Sequence, residues 1–219
     1  MRKVLLLLLI LSLLLVSCTT KYVCPDGRTV EDLQLCEQNN KAPVEELPAE
    51  IGEILAKSSN VKSMTYYYRR IDKPLEAPLQ FWIKGPIVKR ELPVQTQVYQ
   101  KNEMDVIMFN IIDKTATAYC ESKKFCIKNG EIGPVDYDKY YIKTPFEWRE
   151  EIISAEKLTE EIIEKRKVWL LKANDGVLMW IDTYYGLPLR VEVGPERHEF
   201  QEIVFNAVED AEVSFVERE

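Results

Sequence analysis

The chain has 219 residues, of which 46% are hydrophobic and 30% are charged, so it is long enough for one sizeable domain with a buried core. Its 36 acidic side chains outnumber the 29 basic ones, and the net charge at pH 7 is −7. This balance argues against a nucleic-acid partner, because affinity for phosphates comes mostly from clustered Lys and Arg.

The first residues predict an export leader. Arg2 and Lys3 precede an apolar stretch from Val4 to Val16 that is interrupted once, at Ser12. The stretch is shorter than the roughly twenty apolar residues of a transmembrane helix, and its basic start and small closing residues are typical of a secretory signal peptide. We therefore predict a signal peptide over residues 1–17. Its removal changes the net charge from −7 to −9, because two of the 29 basic residues leave with it.

The leader ends in Leu15-Val16-Ser17-Cys18, which resembles the lipobox of bacterial and archaeal lipoproteins. In such proteins cleavage leaves the cysteine as the first residue, and acyl chains on it tether the protein to the membrane. The resemblance implies that Cys18 is a lipid attachment site and that the protein lies at the outer face of the cell membrane. An ordinary signal peptide that happens to precede a cysteine is the alternative.

Four further cysteines form two local pairs along the sequence, Cys24 with Cys36 and Cys120 with Cys126. An even number in an exported protein predicts two structural disulfides. A four-cysteine zinc site is the alternative, but neither pair has the C-x2-C spacing of zinc knuckles. We expect no metal and no cofactor. The polar, turn-rich residues around the first pair predict a lipidated, disulfide-clipped tether over residues 18–46, followed by one binding domain over residues 47–219.

The domain is predicted to begin with an amphipathic helix and to continue mainly as strands. Pro48 in a first helical turn and the spacing of Ile51, Ile54 and Leu55 predict the helix, with its end near residues 58–60. Stretches rich in β-branched and aromatic residues predict the strands. They are Met64–Ile71, Leu79–Leu92, Thr96–Gln100, Asp105–Ile112 and Thr115–Cys120.

A second helix and four more strands are predicted in the remaining sequence. Thr144, Pro145 and Glu147 combine an N-cap, a first-turn proline and a capping acid, and Trp148 would share the buried face of this helix with Ile152. The segment 155–165 suits either a helix or a short strand followed by a turn. The closing strands, of which the first two flank a tight turn at residues 174–176, are Val168–Ala173, Val177–Asp182, Leu187–Val193 and Glu199–Asn206. This order predicts a largely antiparallel sheet.

Several stretches resemble the outer-membrane lipoprotein carrier family, the LolA-type half-barrels. They are Phe81–Pro86, Met104–Asn110, Lys114–Ala118, Met179–Asp182, Tyr185–Glu192 and Phe200–Asn206. The resemblance covers roughly residue 47 to the end and rests on alternation and turns. It implies a mainly β (α+β) fold, in which a strongly curved antiparallel sheet forms a half-barrel with helices packed on its concave face. The chain would be a lipid-anchored surface lipoprotein of an archaeon or a bacterium.

Members of this family hold acyl chains or other apolar ligands between sheet and helices. The resemblance therefore implies a ligand site, and we expect it to be lined by Trp82, Phe109, Trp148, Trp169, Met179 and Trp180. Strands that are apolar on both faces suit either such a cavity or a filled core. In the family, a Trp-apolar-Lys motif is followed by an arginine that latches the lid. Gly85 stands there in this chain, so an identical carrier cycle is not expected.

The remaining polar residues favour binding over catalysis. The single histidine, His198, lies between Arg197 and Glu199 in a context typical of a solvated turn, and the chain has no GxSxG, P-loop or HExxH motif. Tyr66–Arg70 suits either a recognition patch or a strand with tyrosines on both faces. Asp182 is expected to cap a turn.

We predict a membrane-anchored protein, not an enzyme, whose partners are the membrane, reached through the lipid on Cys18, and a lipid, an acyl chain or a lipid-modified protein. A surface scaffold with a filled core that binds another protein is the alternative. A hydrolase that uses dispersed carboxylates is a third hypothesis.

Overall fold

The computed structural model describes residues 21–23, 29–30, 47–74, 76–92, 104–122, 126, 129–174 and 176–215. The chain divides into two compact units, Met1–Glu45 and Glu46–Glu219. In the first unit, strands β1 (Tyr22–Val23) and β2 (Thr29–Val30) pair antiparallel. The predicted signal peptide, Cys18, the Cys24–Cys36 pair and the predicted strand at 96–100 lie outside the described residues.

The second unit is built on one large antiparallel sheet. Within the described residues its strands are β3 (Ser63–Arg70), β4 (Leu79–Lys84), β5 (Ile87–Glu91), β6 (Val106–Asn110), β7 (Thr115–Cys120), β8 (Gly130–Pro134), β9 (Ala155–Ile163), β10 (Arg166–Ala173), β11 (Val177–Asp182), β12 (Pro188–Val193) and β13 (Glu196–Phe205). The sheet order is β8-β7-β6-β5-β4-β3-β13-β12-β11-β10-β9. The two edge strands do not pair with each other, so the sheet is open, and the predicted mainly β half-barrel is confirmed.

Short helices accompany this sheet. They are α1 (Ala49–Ala56), α2 (Tyr137–Tyr140) and α3 (Pro145–Glu150), with 3-10 turns at Lys57–Asn60 and Asp210–Val213. The predicted capping box of α3 is confirmed: Thr144 Oγ1 accepts from the Glu147 backbone N–H at 3.4 Å, and Glu147 Oε2 accepts from the Thr144 N–H at 2.8 Å. Among the described residues, no helix has the length and apolar character needed to cross a membrane.

The pairing register divides the side chains of the sheet between two faces. Tyr66 lies opposite Phe81 on β4, and Phe81 lies opposite Arg90 on β5, so these three share one face. Ile51 and Leu55 of α1 belong to the same core cluster as Tyr66 and Phe81. We call this side, which the helices cover, the helix face. The opposite side, which carries Trp82 and Lys89, is the outer face.

Two details of the sheet differ from the sequence-based prediction. The single strand predicted over Leu79–Leu92 is wrong, because the chain reverses at Gly85-Pro86 and forms β4 and β5. Gly85 has a φ of +55°, a conformation that glycine adopts without a steric penalty. The ambiguous segment 155–165 forms β9 and a turn in which Glu164 and Lys165 both have positive φ.

The predicted disulfide between Cys120 and Cys126 is confirmed, with Cα atoms 6.0 Å apart. Asp105 lies beside the two sulfur atoms, but disulfide-bonded sulfurs do not act as the thiolate ligands of a metal site. The Asp105 carboxylate instead accepts the backbone N–H groups of Glu121 and Ser122, both at 2.8 Å. This arrangement fixes the beginning of the disulfide loop.

Candidate ligand-binding face

The six side chains predicted to line a ligand site are divided between the two faces of the sheet. Phe109, Trp169 and Met179 lie on the helix face, and Trp148 reaches the same face from α3. Trp82 and Trp180 lie on the outer face, since Trp82 pairs with Thr65 and Lys89 and Trp180 pairs with Arg190. The structure therefore brings four of the six to the side that the helices cover.

Phe109 and Met179 are completely enclosed, each with 1% of its surface exposed. The Phe109 ring is met edge-on by Tyr137 at 5.7 Å and by Tyr141 at 5.4 Å, and these two tyrosines stack on each other at 4.5 Å. This part of the helix face is a packed core.

Trp148 and Trp169 are only partly buried. The Lys143 ammonium lies 4.0 Å from the centre of the Trp148 ring, and the Lys157 ammonium lies 3.7 Å from that of Trp169. Both contacts are in the range of cation–π interactions. Indole rings with polar cover on one side and apolar surface on the other mark the boundary between the core and solvent.

A cluster of rings joins this boundary to the centre of the sheet. Tyr66 stacks on Phe81 at 5.2 Å and meets Phe200 edge-on at 5.4 Å. The Trp148 ring lies 5.4 Å from His198. Tyr66 and Tyr68 point to the helix face while Tyr67 points to the outer face, so the predicted strand with tyrosines on both faces is confirmed.

His198 does not lie in a solvated turn, and that expectation is wrong. Strand β13 begins at Glu196, three residues earlier than the predicted Glu199, and His198 is only 8% exposed on the helix face. The alternation of charged Arg197 and Glu199 with inward His198 and Phe200 is the sequence signal that indicates this strand start.

Burial controls the protonation of this cluster. It lowers the pKa of His198 below its usual value, and the nearby Arg70 guanidinium lowers it further, while Glu196 and Asp72 act in the opposite direction. Burial also raises the pKa of Tyr68 to about 12 and raises that of Tyr66 well above its usual value. These side chains are therefore neutral at pH 7.

Arg90 is a site residue that the sequence analysis missed. It lies on the helix face opposite Phe81, and its Nη1 donates to the backbone carbonyl of Tyr140. No carboxylate of the described residues forms an ion pair with it. Burial lowers the pKa of its guanidinium. A charged residue at an inward position of a strand, two residues after Val88, is the only sequence signal for it.

Buried polar atoms without a partner are concentrated on the helix face. Within the described residues they are Tyr66 Oη, Arg90 Nε, Trp148 Nε1 and Trp169 Nε1, and all four are hydrogen-bond donors. A buried donor that lacks an acceptor costs on the order of 1–3 kcal/mol. On the outer face the corresponding atoms are Nε of Arg69 and Arg190, and Arg190 also donates to Glu199 at 2.6 Å.

Trp82 and Trp180 have polar partners on the outer face. Trp180 Nε1 donates to Glu161 Oε2 at 3.0 Å. Trp82 lies 5.9 Å from the ammonium of Lys89, which is ion-paired with Glu121 at 2.6 Å and donates to the Ser214 carbonyl at 3.3 Å. The backbone at Ser214 therefore lies over the outer face near Trp82.

Comparison with known proteins gives resemblances to solved structures only. The chain matches no protein-family model and no curated protein. It resembles the MucB chain in the crystal structure of MucB in complex with MucA(peri), with 11% identity, a TM-score of 0.37 and coverage of 76% of this chain and 58% of that chain. It also resembles LprF from Mycobacterium bovis, with 11% identity, a TM-score of 0.39 and coverage of 74% and 94%.

The chain thus spans little more than half of the MucB chain. Similarity at these TM-scores carries no information about function. What the site can do chemically follows from its own residues: ring surfaces at Trp148 and Trp169 can pack against methylene groups, and the inward N–H and O–H donors can bind acceptor oxygens.

Proposed function

We propose that this chain is a membrane-anchored extracytoplasmic protein that holds a lipid, an acyl chain or another hydrophobic ligand between the helix face and its helices. The observation that carries the proposal is the pair of partly buried indole rings, Trp148 and Trp169, whose N–H groups lie inside without an acceptor among the described residues. Phe109 and Met179 are fully enclosed, so the ligand would enter at the tryptophan end.

The chemistry of an acyl chain fits this boundary. Each methylene that leaves water contributes about 0.8 kcal/mol, and planar rings offer large contact areas to such a chain. The lysines that cover Trp148 and Trp169 have flexible apolar stems, which can move aside or lie along the ligand. Affinity would then come from apolar contact, and the inward donors would set the orientation of the ligand.

A binding role is proposed in preference to a catalytic one. The imidazole of His198 is engaged at Nδ1 by the Tyr68 hydroxyl at 2.8 Å. The Glu147 carboxylate is held by Thr144 and by the hydroxyl of Tyr141. Both groups have structural partners that would compete with a role in general acid–base chemistry.

The ligand is tested by gentle purification of the full chain from membranes, followed by mass spectrometry of extracted lipids and titration with a hydrophobic fluorescent dye. We expect co-purified lipid and saturable dye uptake. Both decrease in a Trp148→Ala, Trp169→Ala double variant and persist in the control Trp180→Ala, which removes an indole from the outer face. A protein that carries no lipid and takes up no dye contradicts the proposal.

The anchor is tested separately, because it rests on the resemblance of residues 15–18 to a lipobox. In a bacterial host the intact chain should sediment with membranes and its N-terminal peptide should carry acyl chains on Cys18. Cys18→Ala should release the protein from the membrane fraction. An unmodified Cys18, or a Cys18→Ala variant that stays bound to membranes, contradicts lipid anchoring.

A second candidate function is a surface scaffold that binds another protein through strand β9. This strand has nine residues and a pairing partner on only one side within the described part of the sheet, and Leu158 and Ile162 are 49% and 78% exposed. Open edge strands pair readily with another chain. Cross-linking in the native host should then capture a protein partner. The double variant Leu158→Lys, Ile162→Lys should lose this partner, and the control Ile112→Lys, which changes an exposed turn residue, should retain it.

A further inference from the structure

The polar groups that line the helix face are matched to one kind of ligand atom. Its four buried atoms that lack a partner among the described residues are all donors: Tyr66 Oη, Arg90 Nε, Trp148 Nε1 and Trp169 Nε1. Arg90 Nε and the two indole nitrogens can only donate, and Tyr66 Oη is the one atom of the four that can also accept. The face therefore offers hydrogen bonds to acceptor oxygens.

Arg90 adds a positive charge to these donors. Its guanidinium is partly buried, its one hydrogen bond to the described residues is to the Tyr140 carbonyl, and no described carboxylate pairs with it. Buried guanidinium groups are ordinarily paired with a carboxylate or phosphate. The missing counter-ion points to a negatively charged ligand group.

The register places Tyr66 and Arg90 on either side of one aromatic ring. Tyr66, Phe81 and Arg90 stand side by side on β3, β4 and β5, and with strands about 4.8 Å apart, Tyr66 and Arg90 flank Phe81 across about 10 Å. Phe81 is also within ring contact of Tyr68, whose hydroxyl meets His198, and His198 contacts the Trp148 ring. A chain of ring contacts therefore links Phe81, beside Arg90, to the partly exposed indole of Trp148. Tyr66 and Phe81 are each 1% exposed, so a ligand that reaches them must displace part of the cover that the helices provide.

We propose that the ligand of the helix face is an anionic amphiphile. Its carboxylate or phosphate group pairs with Arg90 and accepts a hydrogen bond from Tyr66, and its apolar chain extends over the rings toward Trp148. This inference rests on the proposed function and specifies the class of ligand. A cationic head group would meet the guanidinium of Arg90, which no described carboxylate neutralises, and Oε2 of the nearby Glu147 carboxylate already accepts hydrogen bonds from Thr144 and Tyr141.

The test compares four probes that share a sixteen-carbon chain and differ in the head group: hexadecanoate, hexadecyl phosphate, hexadecanol and hexadecyltrimethylammonium. Binding to the delipidated full chain is measured by calorimetry below the micelle concentration of each probe. At least one of the two anions should bind about tenfold more tightly than the alcohol, the difference that a hydrogen bond to a charged group supplies. The cation should bind most weakly. The ratio of the two anions identifies the head group.

Variants assign this preference to the named side chains. Arg90→Gln should weaken binding of the preferred anion about tenfold while leaving hexadecanol unchanged, and Tyr66→Phe should weaken it by a smaller factor. The matched controls are Arg69→Gln and Tyr67→Phe, because both residues lie on the same strand as Tyr66 and face the other side of the sheet. Neither control should change any of the four affinities.

The outcomes separate this inference from the proposed function. Similar affinities for all four probes, or a preference for the cation, overturn the anionic ligand and leave a hydrophobic-ligand protein. Binding of none of the probes overturns both. If Arg90→Gln fails to fold by circular dichroism, Arg90→Lys should retain the anion preference, and an Arg90→Lys protein that folds but loses it also overturns the role of this charge.

Discussion

The hydroxyl of Tyr68 lies 2.8 Å from Nδ1 of His198. The two residues stand on neighbouring strands, where Tyr68 pairs with Phe200 and His198 pairs with Arg70, so the hydrogen bond runs diagonally across β3 and β13. A neutral imidazole can accept a hydrogen bond from the Tyr68 hydroxyl at Nδ1 while it carries its own proton at Nε2, which lies 3.4 Å from Glu196. This hydrogen bond connects the strands beneath Trp148.

We expect the free energy of unfolding to decrease as the pH falls below about 6.5, the usual pKa of histidine. Burial and Arg70 lower the pKa of His198 in the folded protein, and Glu196 and Asp72 only partly oppose them. The unfolded chain therefore binds a proton more readily, and the stabilising effect, complete above pH 6.5, is lost as the pH falls through the folded pKa. Each tenfold difference in proton affinity corresponds to about 1.4 kcal/mol.

Two measurements check this expectation. The sequence has one histidine, so its imidazole resonances can be titrated by NMR without ambiguity and should give a pKa below 6.5. Urea unfolding at several pH values should show a smaller dependence on pH between about 7.5 and 5 in His198→Gln than in the native chain. A folded-state pKa above that of a model peptide, with equal pH dependence in both proteins, contradicts it.

The disulfide between Cys120 and Cys126 should contribute about 2 kcal/mol, because it closes a short loop in the unfolded chain. Both cysteines are buried, at 0% and 2% exposure, so alanine is the replacement that introduces the least new polarity. Denaturant unfolding of Cys120→Ala, Cys126→Ala should show a lower free energy of unfolding. An unchanged free energy would indicate that Asp105, which holds the N–H groups of Glu121 and Ser122, already fixes the loop.

The sequence predicts the elements whose signals are local. The hairpin of β10 and β11 follows from alternation around the turn at residues 174–176, and α3 follows from Thr144 and Glu147. Strand β8 was not predicted, because Gly130, Gly133 and Pro134 are poor strand formers. This strand forms because it pairs with β7. The strand propensities of its own residues do not reveal that pairing.

The candidate site was only partly predictable for a related reason. Which face a side chain occupies depends on the pairing register. The register of β11 with β12 shifts between Trp180 and Ile181, and the register of β10 with β9 shifts between Leu170 and Leu171. A shift of one residue moves a side chain to the other face. In a segment such as Phe81-Trp82-Ile83, where both faces are apolar, hydrophobicity does not identify which one meets the helices.

The ion pair between Lys89 and Glu121 should respond differently to single and double substitutions. Both side chains are almost fully enclosed, at 2% and 1% exposure, and lie 2.6 Å apart. Lys89→Met leaves the Glu121 carboxylate without this ammonium and should lower the free energy of unfolding by about 3 kcal/mol. Lys89→Met, Glu121→Leu should recover most of the loss, because apolar pairs replace buried ion pairs at little cost. A double variant as unstable as Lys89→Met contradicts this reasoning.

Gly186 lies where the turn after β11 closely approaches the backbone of α1. Its φ is +69°, its N–H donates to the Asp182 carbonyl at 2.8 Å, and a Cβ there would overlap the backbone carbonyl of Ile54. Asp182 accepts the N–H groups of Tyr184 and Tyr185, so the expected turn cap is confirmed and the turn cannot easily shift. Gly186→Ala should therefore destabilise the protein by about 3 kcal/mol or more, through unfavourable φ and steric overlap together.

Gly85→Ala is the matched control for this substitution. Gly85 has a similar φ of +55°, but a Cβ at that position meets no atom of the described structure within 4 Å. Its substitution should cost only the backbone contribution, about 1 kcal/mol. Because the two glycines share the same backbone region, the difference between their unfolding free energies measures the contact of α1 with the sheet. Equal losses in both variants would mean that α1 moves away from Gly186 without cost, and that the helix does not pack firmly on this face.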